Sequence, residues 1–389
     1  MEASRALCKT AIISAFLSLL LACGGGSPKK VVTEEAINPK SKTIDSLLHF
    51  LHAKGRFNAS VLVAEGDEVI YKNGFGYANF DIRDTLTTES CFRLASVSKQ
   101  FTAMCIMILE ERGRLSYDDD IAKYLPELSF YKGITIRHLL WHTGGLPDYM
   151  ALFEEHWNPD SLAFKEDVLR LLAEHQPKID FKPGEKFEYS NTGYSLLANI
   201  VQRASGVGFD EFITENIFKK IDMSASLVCK GVADEKIKNR VFGYSYNDSL
   251  RTISDADYHY LNGVVGDGGL YSTAEDLFKW DQALYTEKLV FKETLHQAFS
   301  GYSLNHTDTL GDYGFGWGIH KNDSTDIVSH SGGWVGFSTH IQRDLKNRTT
   351  IIVLNNTFDE VYYIVEMIEA ILQDKPIRMP DALKTFELY

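Results

Sequence analysis

The sequence predicts an α+β fold, an α/β sandwich in which strands near both ends of the chain form one antiparallel sheet and a large, mostly helical domain is inserted between them. Apolar runs of strand length occur before residue 75 and return only after residue 315. Between them, apolar residues recur at helical spacing, with long loops marked by Gly and Pro. An amphipathic helix at each end of this pattern is expected to cover one face of the sheet.

The chain begins with the features of an export signal. Two basic residues precede an apolar run over 11–22, which is short for a membrane span. The run ends in Leu-Leu-Ala-Cys, similar to the lipobox of bacterial lipoproteins, in which the signal is cut before the cysteine and the cysteine carries the lipid. We therefore expect a lipoprotein signal peptide over 1–22, lipidation at Cys23 and a flexible tether over 23–42. The alternative is an ordinary signal peptide with a chance cysteine.

The folded domain is expected over 43–375. Its first element is a helix over 43–55, with apolar residues on one side and a terminal glycine. Gly66-Asp67 joins the next two apolar runs and is typical of a hairpin turn. The predicted strands cover 59–64, 68–72, 316–320, 326–330, 338–344 and 349–355, and a final helix covers 359–373. The sheet part takes about 43–96 and 312–375, the helical part about 97–311, and a C-terminal tail follows over 376–389.

Composition narrows the functional classes. The formal net charge is −13 and no basic stripe is present, so no nucleic-acid partner is expected. The twelve histidines are scattered, and neither C-x-x-C nor H-E-x-x-H spacing occurs, so neither a metal nor another cofactor is expected. Cys105 lies on the apolar face of a predicted helix and is interpreted as a small core residue.

A serine and a lysine, Ser96 and Lys99, lie three residues apart where a helical apolar pattern begins. Residues at this spacing share a helix face, so the hydroxyl and the amine are expected within hydrogen-bond reach. Unpaired N–H groups at the helix start suit a developing oxyanion. The same spacing at Ser27 and Ser129 falls in linker and turn sequence. Ser96 is therefore the candidate nucleophile with Lys99 as its base, the alternative being an ordinary N-cap serine.

A second motif, Tyr189-Ser-Asn191, stands in a loop directly before a predicted helix. A serine nucleophile paired with a lysine needs a further proton-transfer group, and the phenol of Tyr189 is the candidate. Other Y-x-N patterns lie around the early strands or lack a following helix. Position along the chain therefore favours Tyr189.

A third motif, His330-Ser-Gly-Gly333, ends a predicted strand. Backbone N–H groups at such a strand edge can supply a second oxyanion donor. The same H-x-G pattern at His142 follows a short apolar helix and is interpreted as its C-terminus with a glycine stop. Taken alone, His330 is better explained as a hydrogen-bonded strand histidine, so the three motifs have to be weighed together.

In this order, and each on the expected element, the three motifs resemble the serine β-lactamase and penicillin-binding-protein superfamily, and within it the class C-type β-lactamase-related hydrolases. The resemblance covers about 43–373. Further stretches typical of the family lie at 57–63, 136–147, 268–276 and 313–317. The resemblance implies a serine hydrolase that works through an acyl-enzyme.

By this resemblance, Ser96 attacks a carbonyl while Lys99 and Tyr189 carry the proton as general acid and base, and water then hydrolyses the acyl ester. The backbone N–H groups of Ser96 and Gly333 would hold the oxyanion. Asn191 would contact the substrate amide or Lys99. Whether Lys99 or Tyr189 is the base stays open, because coupled groups titrate as a pair.

Substrate binding is assigned by the same resemblance to His330, Gly332 and Tyr149, with a surface aromatic as the alternative interpretation of Tyr149. The β-lactamases carry a lysine in the third motif, which attracts a substrate carboxylate, whereas this chain has His330 there. An imidazole is expected to bind a carboxylate less strongly. We therefore predict weak or absent β-lactam hydrolysis and favour D-amino-acid peptides or small acyl esters as substrates.

The leading hypothesis is an exported serine hydrolase, lipid-anchored in a bacterial cell envelope, whose partner is a small molecule, a short peptide or ester, or a peptidoglycan fragment. A D,D-carboxypeptidase or penicillin-binding protein, or a weak class C-like β-lactamase, is the alternative on the same fold. A non-catalytic envelope binding protein is the alternative of another class. The intact motifs at Ser96, Tyr189 and His330 argue against this alternative, because a non-catalytic protein would not need them.

Overall fold

The structure is a computed structural model that describes residues 38–55, 57–229, 231, 237–247, 252–302, 312–357 and 361–379. The predicted signal peptide, Cys23 and most of the predicted tether lie outside the described residues, as do residues 380–389 of the predicted tail. Within the described ranges, no helix combines the length and the apolar character that a bilayer span requires.

Ten α-helices lie in the described residues. They are Pro39–Ala53 (α1), Lys99–Glu111 (α2), Ile136–Leu140 (α3), Tyr149–His156 (α4), Lys165–His175 (α5), Asn191–Ser205 (α6), Phe209–Ile213 (α7), Ala274–Ala283 (α8), Lys292–Ala298 (α9) and Tyr362–Leu372 (α10). Short segments of 3-10 helix cover Ala95–Ser98, Ile121–Lys123, Pro126–Leu128, Lys219–Ile221 and Tyr260–Asn262, and a π-helical turn covers Thr214–Phe218.

Fourteen strands lie in the same part of the chain. They are Ala59–Glu65 (β1), Glu68–Gly74 (β2), Tyr77–Asn79 (β3), Asp84–Thr85 (β4), Phe92–Arg93 (β5), Leu227–Val228 (β6), Tyr244–Asn247 (β7), Thr252–Asp255 (β8), Leu270–Ser272 (β9), Asp312–Tyr313 (β10), Gly318–Lys321 (β11), Asp326–Trp334 (β12), Phe337–Asp344 (β13) and Thr349–Asn355 (β14).

One sheet joins the two ends of the chain. Among the described residues it has seven strands in the order β10-β11-β12-β13-β14-β1-β2, and each neighbouring pair is antiparallel. The junction is the pairing of β1 with β14, in which Val61 faces Val353. The predicted α+β class with an antiparallel sheet built from both termini is therefore confirmed.

The two faces of the sheet are covered by different parts of the chain. On one face, α1 and α10 pack together and bury apolar side chains of β1 and β14, such as Val61 and Val353. On the other face, residues such as Leu62 and Ile352 belong to a larger core that they share with the central helices. The alternation of side chains along a strand explains this division, since consecutive residues point to opposite faces.

The first helix begins at Pro39, ahead of the start at residue 43 that the sequence predicted. Asn38 caps it, because its side-chain oxygen accepts a hydrogen bond from the N–H of Lys40 at 2.9 Å. Proline is favoured at the first helical position, where its missing N–H has no helical partner to lose. The last residues of the predicted tether are thus helical.

The inserted part is less purely helical than predicted, since within the described residues it contains the pair of β7 with β8 and also β6 and β9, which join β5 in a three-stranded sheet; the pair of β3 with β4 precedes it. Its central helix, α2, is buried from Lys99 to Leu109 instead of showing one apolar face. The reason is that α2 is packed between the sheet side of the core and helices α6 and α7. The end of α2 that follows Ser96 therefore lies between the large sheet and the inserted helical part.

Candidate active site

Ser96 lies in the 3-10 turn Ala95–Ser98, which connects β5 to α2. Ala95 has a φ of +48°, a left-handed conformation that costs an alanine free energy because of its Cβ. The side chain of Ser96 is half-buried, and the residue lines an open cleft. The strained turn therefore presents the serine to the cleft.

Strand β12 approaches this turn so closely that glycine is needed at residue 332. A Cβ on Gly332 would lie 2.2 Å from the carbonyl oxygen of Leu94 and 3.0 Å from the backbone nitrogen of Ser96. Gly332 is buried against this backbone, so the structure does not bring it to the substrate cleft as the sequence-based expectation had it. Its neighbour Gly333 does line the cleft together with Ser96.

Lys99 is fully buried and all three donors of its ammonium group are used. It donates to Ser96 Oγ at 3.0 Å, to Asn191 Oδ1 at 2.8 Å and to the carbonyl oxygen of Asp267 at 2.8 Å. The expected contact between Lys99 and Ser96 is present. Of the two contacts that the sequence left open for Asn191, the substrate amide or Lys99, the structure shows the one with Lys99. The lysine is therefore held in one orientation towards the serine.

Tyr189 and Asn191 flank Ser190, which caps α6 by accepting a hydrogen bond from the N–H of Gly193 at 3.1 Å. The ring of Tyr189 lies over Lys99, with 4.8 Å between the ring centre and Nζ. The tyrosine is 42% exposed. Among the described residues, no group is hydrogen-bonded to its hydroxyl, so this oxygen is free to meet a ligand.

His142, interpreted from the sequence only as a helix end, holds the Tyr189 loop from behind. Its Nδ1 accepts a hydrogen bond from the N–H of Ser190 at 3.0 Å, and its carbonyl oxygen accepts one from the N–H of Glu188 at 2.9 Å. Its ring lies 4.4 Å from the ring of Tyr189. Burial and the charge of Lys99 lower the pKa of His142 well below its usual value, so the imidazole is neutral. The repeated H-x-G pattern was the one sequence signal for this residue.

Tyr149 lines the cleft, as the sequence-based expectation placed it, and also anchors the segment that carries Asp267. Its hydroxyl donates to Asp267 Oδ2 at 2.8 Å, and its backbone N–H donates to Thr192 Oγ1 at 2.8 Å. Burial raises the pKa of Asp267, and burial together with this carboxylate raises the pKa of Tyr149. Asp267 was missed in the sequence, where its flanking glycines were the available signal.

His330 lies behind the cleft instead of at it. Its Nε2 is hydrogen-bonded to the hydroxyl of Tyr313 at 2.8 Å, and its Nδ1 is 2.6 Å from the carbonyl oxygen of Ser331. Burial and the charge of Lys99 lower the pKa of His330 to about 3. Both ring nitrogens of His330 are therefore occupied, the imidazole is neutral at neutral pH, and the residue is not among those that line the cleft.

The arrangement combines a serine, an amine in hydrogen-bond contact with it, an exposed phenol beside the amine and the backbone of strand β12 close to the serine. These are the groups that nucleophilic attack on a carbonyl requires. The cleft wall also includes the apolar side chains of Met150, Leu261, Val264 and Trp334. In the described part of the chain, no group of three His, Cys, Asp or Glu side chains is placed to hold a metal ion.

Comparison with known proteins gives one consistent result. The Beta-lactamase family model matches residues 43–373. Penicillin-binding protein 4* of Bacillus subtilis is 40% identical over 88% of this chain and 78% of its own length. An octameric penicillin-binding protein homologue from Pyrococcus abyssi has a TM-score of 0.76 and 29% identity, covering 86% of this chain and 77% of its own. The fold of a D-amino acid amidase from Ochrobactrum anthropi is also similar, with a TM-score of 0.73, 21% identity, and coverage of 87% and 99%.

Proposed function

The chain belongs to the Beta-lactamase family and is a serine hydrolase, and we propose that it hydrolyses D-amino-acid peptides or small acyl esters through an acyl-enzyme on Ser96. One observation carries this proposal: Ser96 Oγ accepts a hydrogen bond of 3.0 Å from the buried Lys99 amine at the edge of an open cleft. A merely structural N-cap serine needs no such partner.

The proposed reaction has two steps. Ser96 Oγ bonds to the substrate carbonyl carbon while its proton passes to Tyr189, or to Lys99, which accepts it only as the neutral amine. That proton then goes to the leaving nitrogen or oxygen, and the bond to the leaving group breaks. Water attacks the resulting ester, with the same pair accepting and returning a proton, and frees Ser96.

The oxyanion is proposed to lie between the backbone N–H groups of Ser96 and Gly333, which line the same cleft. The close approach of β12 at Gly332 supports this role, because it brings the two backbones together. The proposal of weak or absent β-lactam hydrolysis rests on the third-motif position alone, where the withdrawn, neutral His330 replaces the lysine that binds a carboxylate in the β-lactamases.

Export and a lipid anchor at Cys23 are part of the proposal. They are supported by the short apolar run and the Leu-Leu-Ala-Cys sequence at its end. The expected location is a bacterial cell envelope. Growth with radiolabelled palmitate tests the anchor: wild type should incorporate label, and the C23S variant should not.

The purified full chain, treated separately with a fluorophosphonate and with penicillin, tests the catalytic proposal. We expect the fluorophosphonate to modify Ser96, with the adduct located by peptide mass spectrometry, and S96A to remain unmodified. S98A serves as the matched control, because Ser98 is buried on the same turn and its hydroxyl accepts from the N–H of Leu270. A stable penicilloyl adduct on Ser96 would favour a penicillin-binding carboxypeptidase. No adduct with either reagent would favour a non-catalytic binding protein and contradict the proposal.

A further inference from the structure

We propose that Arg93 binds the carboxylate of the substrate and so selects peptides whose leaving residue carries a free carboxylate. This inference rests on the proposed acyl-enzyme chemistry at Ser96 and narrows its substrate class. Arg93 has no role in the reaction steps derived above.

Arg93 is placed beside the reacting serine by the local fold. It lies on β5, which leads directly into the turn that carries Ser96, and it lines the same cleft as Ser96, Tyr149 and Gly333. It is only 2% exposed. The arginine is therefore a wall of the cleft and is not a surface side chain.

The guanidinium of Arg93 lacks an anionic partner. Among the described residues, no carboxylate pairs with it, and its Nε is buried without a hydrogen-bond partner. The guanidinium lies over the ring of Tyr271, with 5.1 Å between Cζ and the ring centre. Buried arginines are normally paired, because an isolated charge in the protein interior is costly.

A second arginine shows what the paired state looks like in this protein. Arg240 lies against the same Tyr271 ring, at 5.9 Å, but it forms an ion pair with Asp257. Arg240 does not line the cleft. Of two arginines on one ring, the unpaired one is thus the one that a substrate can reach.

The other candidate cations of the site are already engaged. Lys99 donates to Ser96, Asn191 and Asp267, which uses its three donors. His330 is bonded to Tyr313 and Ser331 and does not line the cleft. Arg93 is the cation with donors left over among the described residues that line the cleft.

The carboxylate of Asp267 also lines the cleft. If it were negatively charged, it would repel the carboxylate of the substrate. Its Oδ2 accepts a hydrogen bond from Tyr149. Burial raises the pKa of Asp267, which opposes its negative charge. The positive charge of Arg93 is therefore the one that a substrate carboxylate meets.

The chemistry of the ligand follows from the guanidinium. Its planar fork of donors matches a carboxylate through two parallel hydrogen bonds. In a peptide cleaved before its last residue, the leaving residue carries the C-terminal carboxylate within a few bonds of the reacting carbonyl. A carboxamide or a neutral ester would leave Arg93 unpaired. The expected substrates are therefore acyl-D-amino-acid peptides with a free C-terminus.

The test compares an acylated D-Ala-D-Ala peptide with the same peptide ending in a carboxamide, using the full chain. Wild type should favour the free acid in kcat/KM by about 10- to 100-fold. R93Q should abolish this ratio, mainly through KM, and R93K should retain part of it because lysine keeps the charge but lacks the fork. R240Q is the matched control and should retain the wild-type ratio.

The ratio within each variant separates recognition from folding, because a loss of folded protein lowers both rates equally. The inference is wrong if wild type does not distinguish the two peptides, or if R93Q still prefers the free acid. Acylation of Ser96 by a neutral p-nitrophenyl ester in those same samples would leave the proposed function standing. If wild type turns over neither peptide and its Ser96 is not acylated by the ester, the proposed function and this inference both fall.

Discussion

Lys99 joins three parts of the chain through one side chain. Its ammonium group binds Ser96 on its own turn, Asn191 at the start of α6, and the backbone of Asp267 before β9. Because these donors are all used, the relative position of the three segments is defined by a buried polar centre. The proposed nucleophile and base are thus oriented before a substrate arrives.

His142 is the residue whose removal should disturb Tyr189 without touching Ser96. H142L loses the bond to the Ser190 N–H and the contact with the Tyr189 ring, so kcat on a neutral ester should fall about 10- to 100-fold through misplacement of the phenol. H142N, which keeps an acceptor, should recover part of this loss. Steady-state kinetics well below the unfolding temperature measure the effect.

The matched control is H138L, because His138 lies on α3 in the same region and instead bonds Thr135 at the helix start. It should change stability more than kcat. If H142L loses thermal stability but keeps the wild-type kcat, His142 is structural only and Tyr189 needs no support from it.

His330 makes a prediction about pH. Its pKa of about 3 in the folded protein lies below the unfolded value near ~6.5, so the unfolded chain binds more protons between these limits. Stability should therefore decrease as pH falls from about 6.5 towards 3, with up to roughly 1.4 kcal/mol lost per pH unit. The free energy of unfolding in urea, measured against pH, should have a smaller slope in H330Q. H320Q replaces an exposed histidine on β11 and is the control; equal slopes in wild type and H330Q would contradict the burial of a neutral His330.

Strand β12 is the element that decides the geometry around Ser96. It packs against the 3-10 turn at Gly332, and Thr339 of β13 reinforces the contact by donating from Oγ1 to the Leu94 carbonyl at 2.7 Å. The strand also carries His330 and Gly333 at neighbouring positions. A small displacement of this one strand would move the second oxyanion donor away from the serine.

G332A should therefore be severe. The added Cβ would lie 2.2 Å from a backbone oxygen that cannot move aside, so we expect about 1–3 kcal/mol of lost stability and at least a tenfold lower rate of Ser96 acylation. Urea unfolding and fluorophosphonate labelling measure the two effects. G318A on β11 is the matched control, because its nearest atom, the Ser329 carbonyl oxygen, is 3.4 Å away. Equal behaviour of G332A and G318A would show that the close approach is unimportant.

At the scale of the whole molecule, the two chain ends close the sheet on which the candidate site depends. Strands β1 and β14 pair along their full lengths, and α1 packs on α10 over the same face. Lys40 ties these elements together, since its Nζ donates to Glu65 Oε1 and to the Leu372 carbonyl oxygen, both at 2.8 Å. The first turn of α1 is therefore part of the fold.

A chain that starts at residue 43 should be less stable than one that starts at residue 38, by about 1–2 kcal/mol. It lacks the Asn38 cap and the Lys40 bonds. Thermal and urea unfolding of the two chains test this. K40M in the longer chain should reproduce part of the loss, and K42A, an exposed position in the same turn, should not. Identical stabilities would place the start of the folded domain where the sequence analysis first put it.

The sequence by itself determined the features that depend on neighbours along the chain. Spacing at i and i+3 placed Ser96 beside Lys99, period-two and period-3.6 patterns located the sheet strands and the terminal helices, and a helix was expected directly after the Tyr189 loop. The helix start at Pro39 was also local, in the Asn-Pro pair, but was passed over. Short-range sterics and hydrogen bonds decide such features without help from the rest of the fold.

Only the tertiary structure decided the features that depend on which distant segments meet. Tyr313 and the surrounding sheet bury His330 behind the cleft, and Gly332 packs against the backbone of Leu94 and Ser96. His142 and Asp267 reach the site from other segments of the chain. Arg93 lies only three residues before Ser96 in the sequence. That its guanidinium is buried without an anionic partner is visible only once β9 brings Tyr271 against it. Burial, charge pairing and pKa depend on the three-dimensional surroundings, which spacing along the chain does not specify.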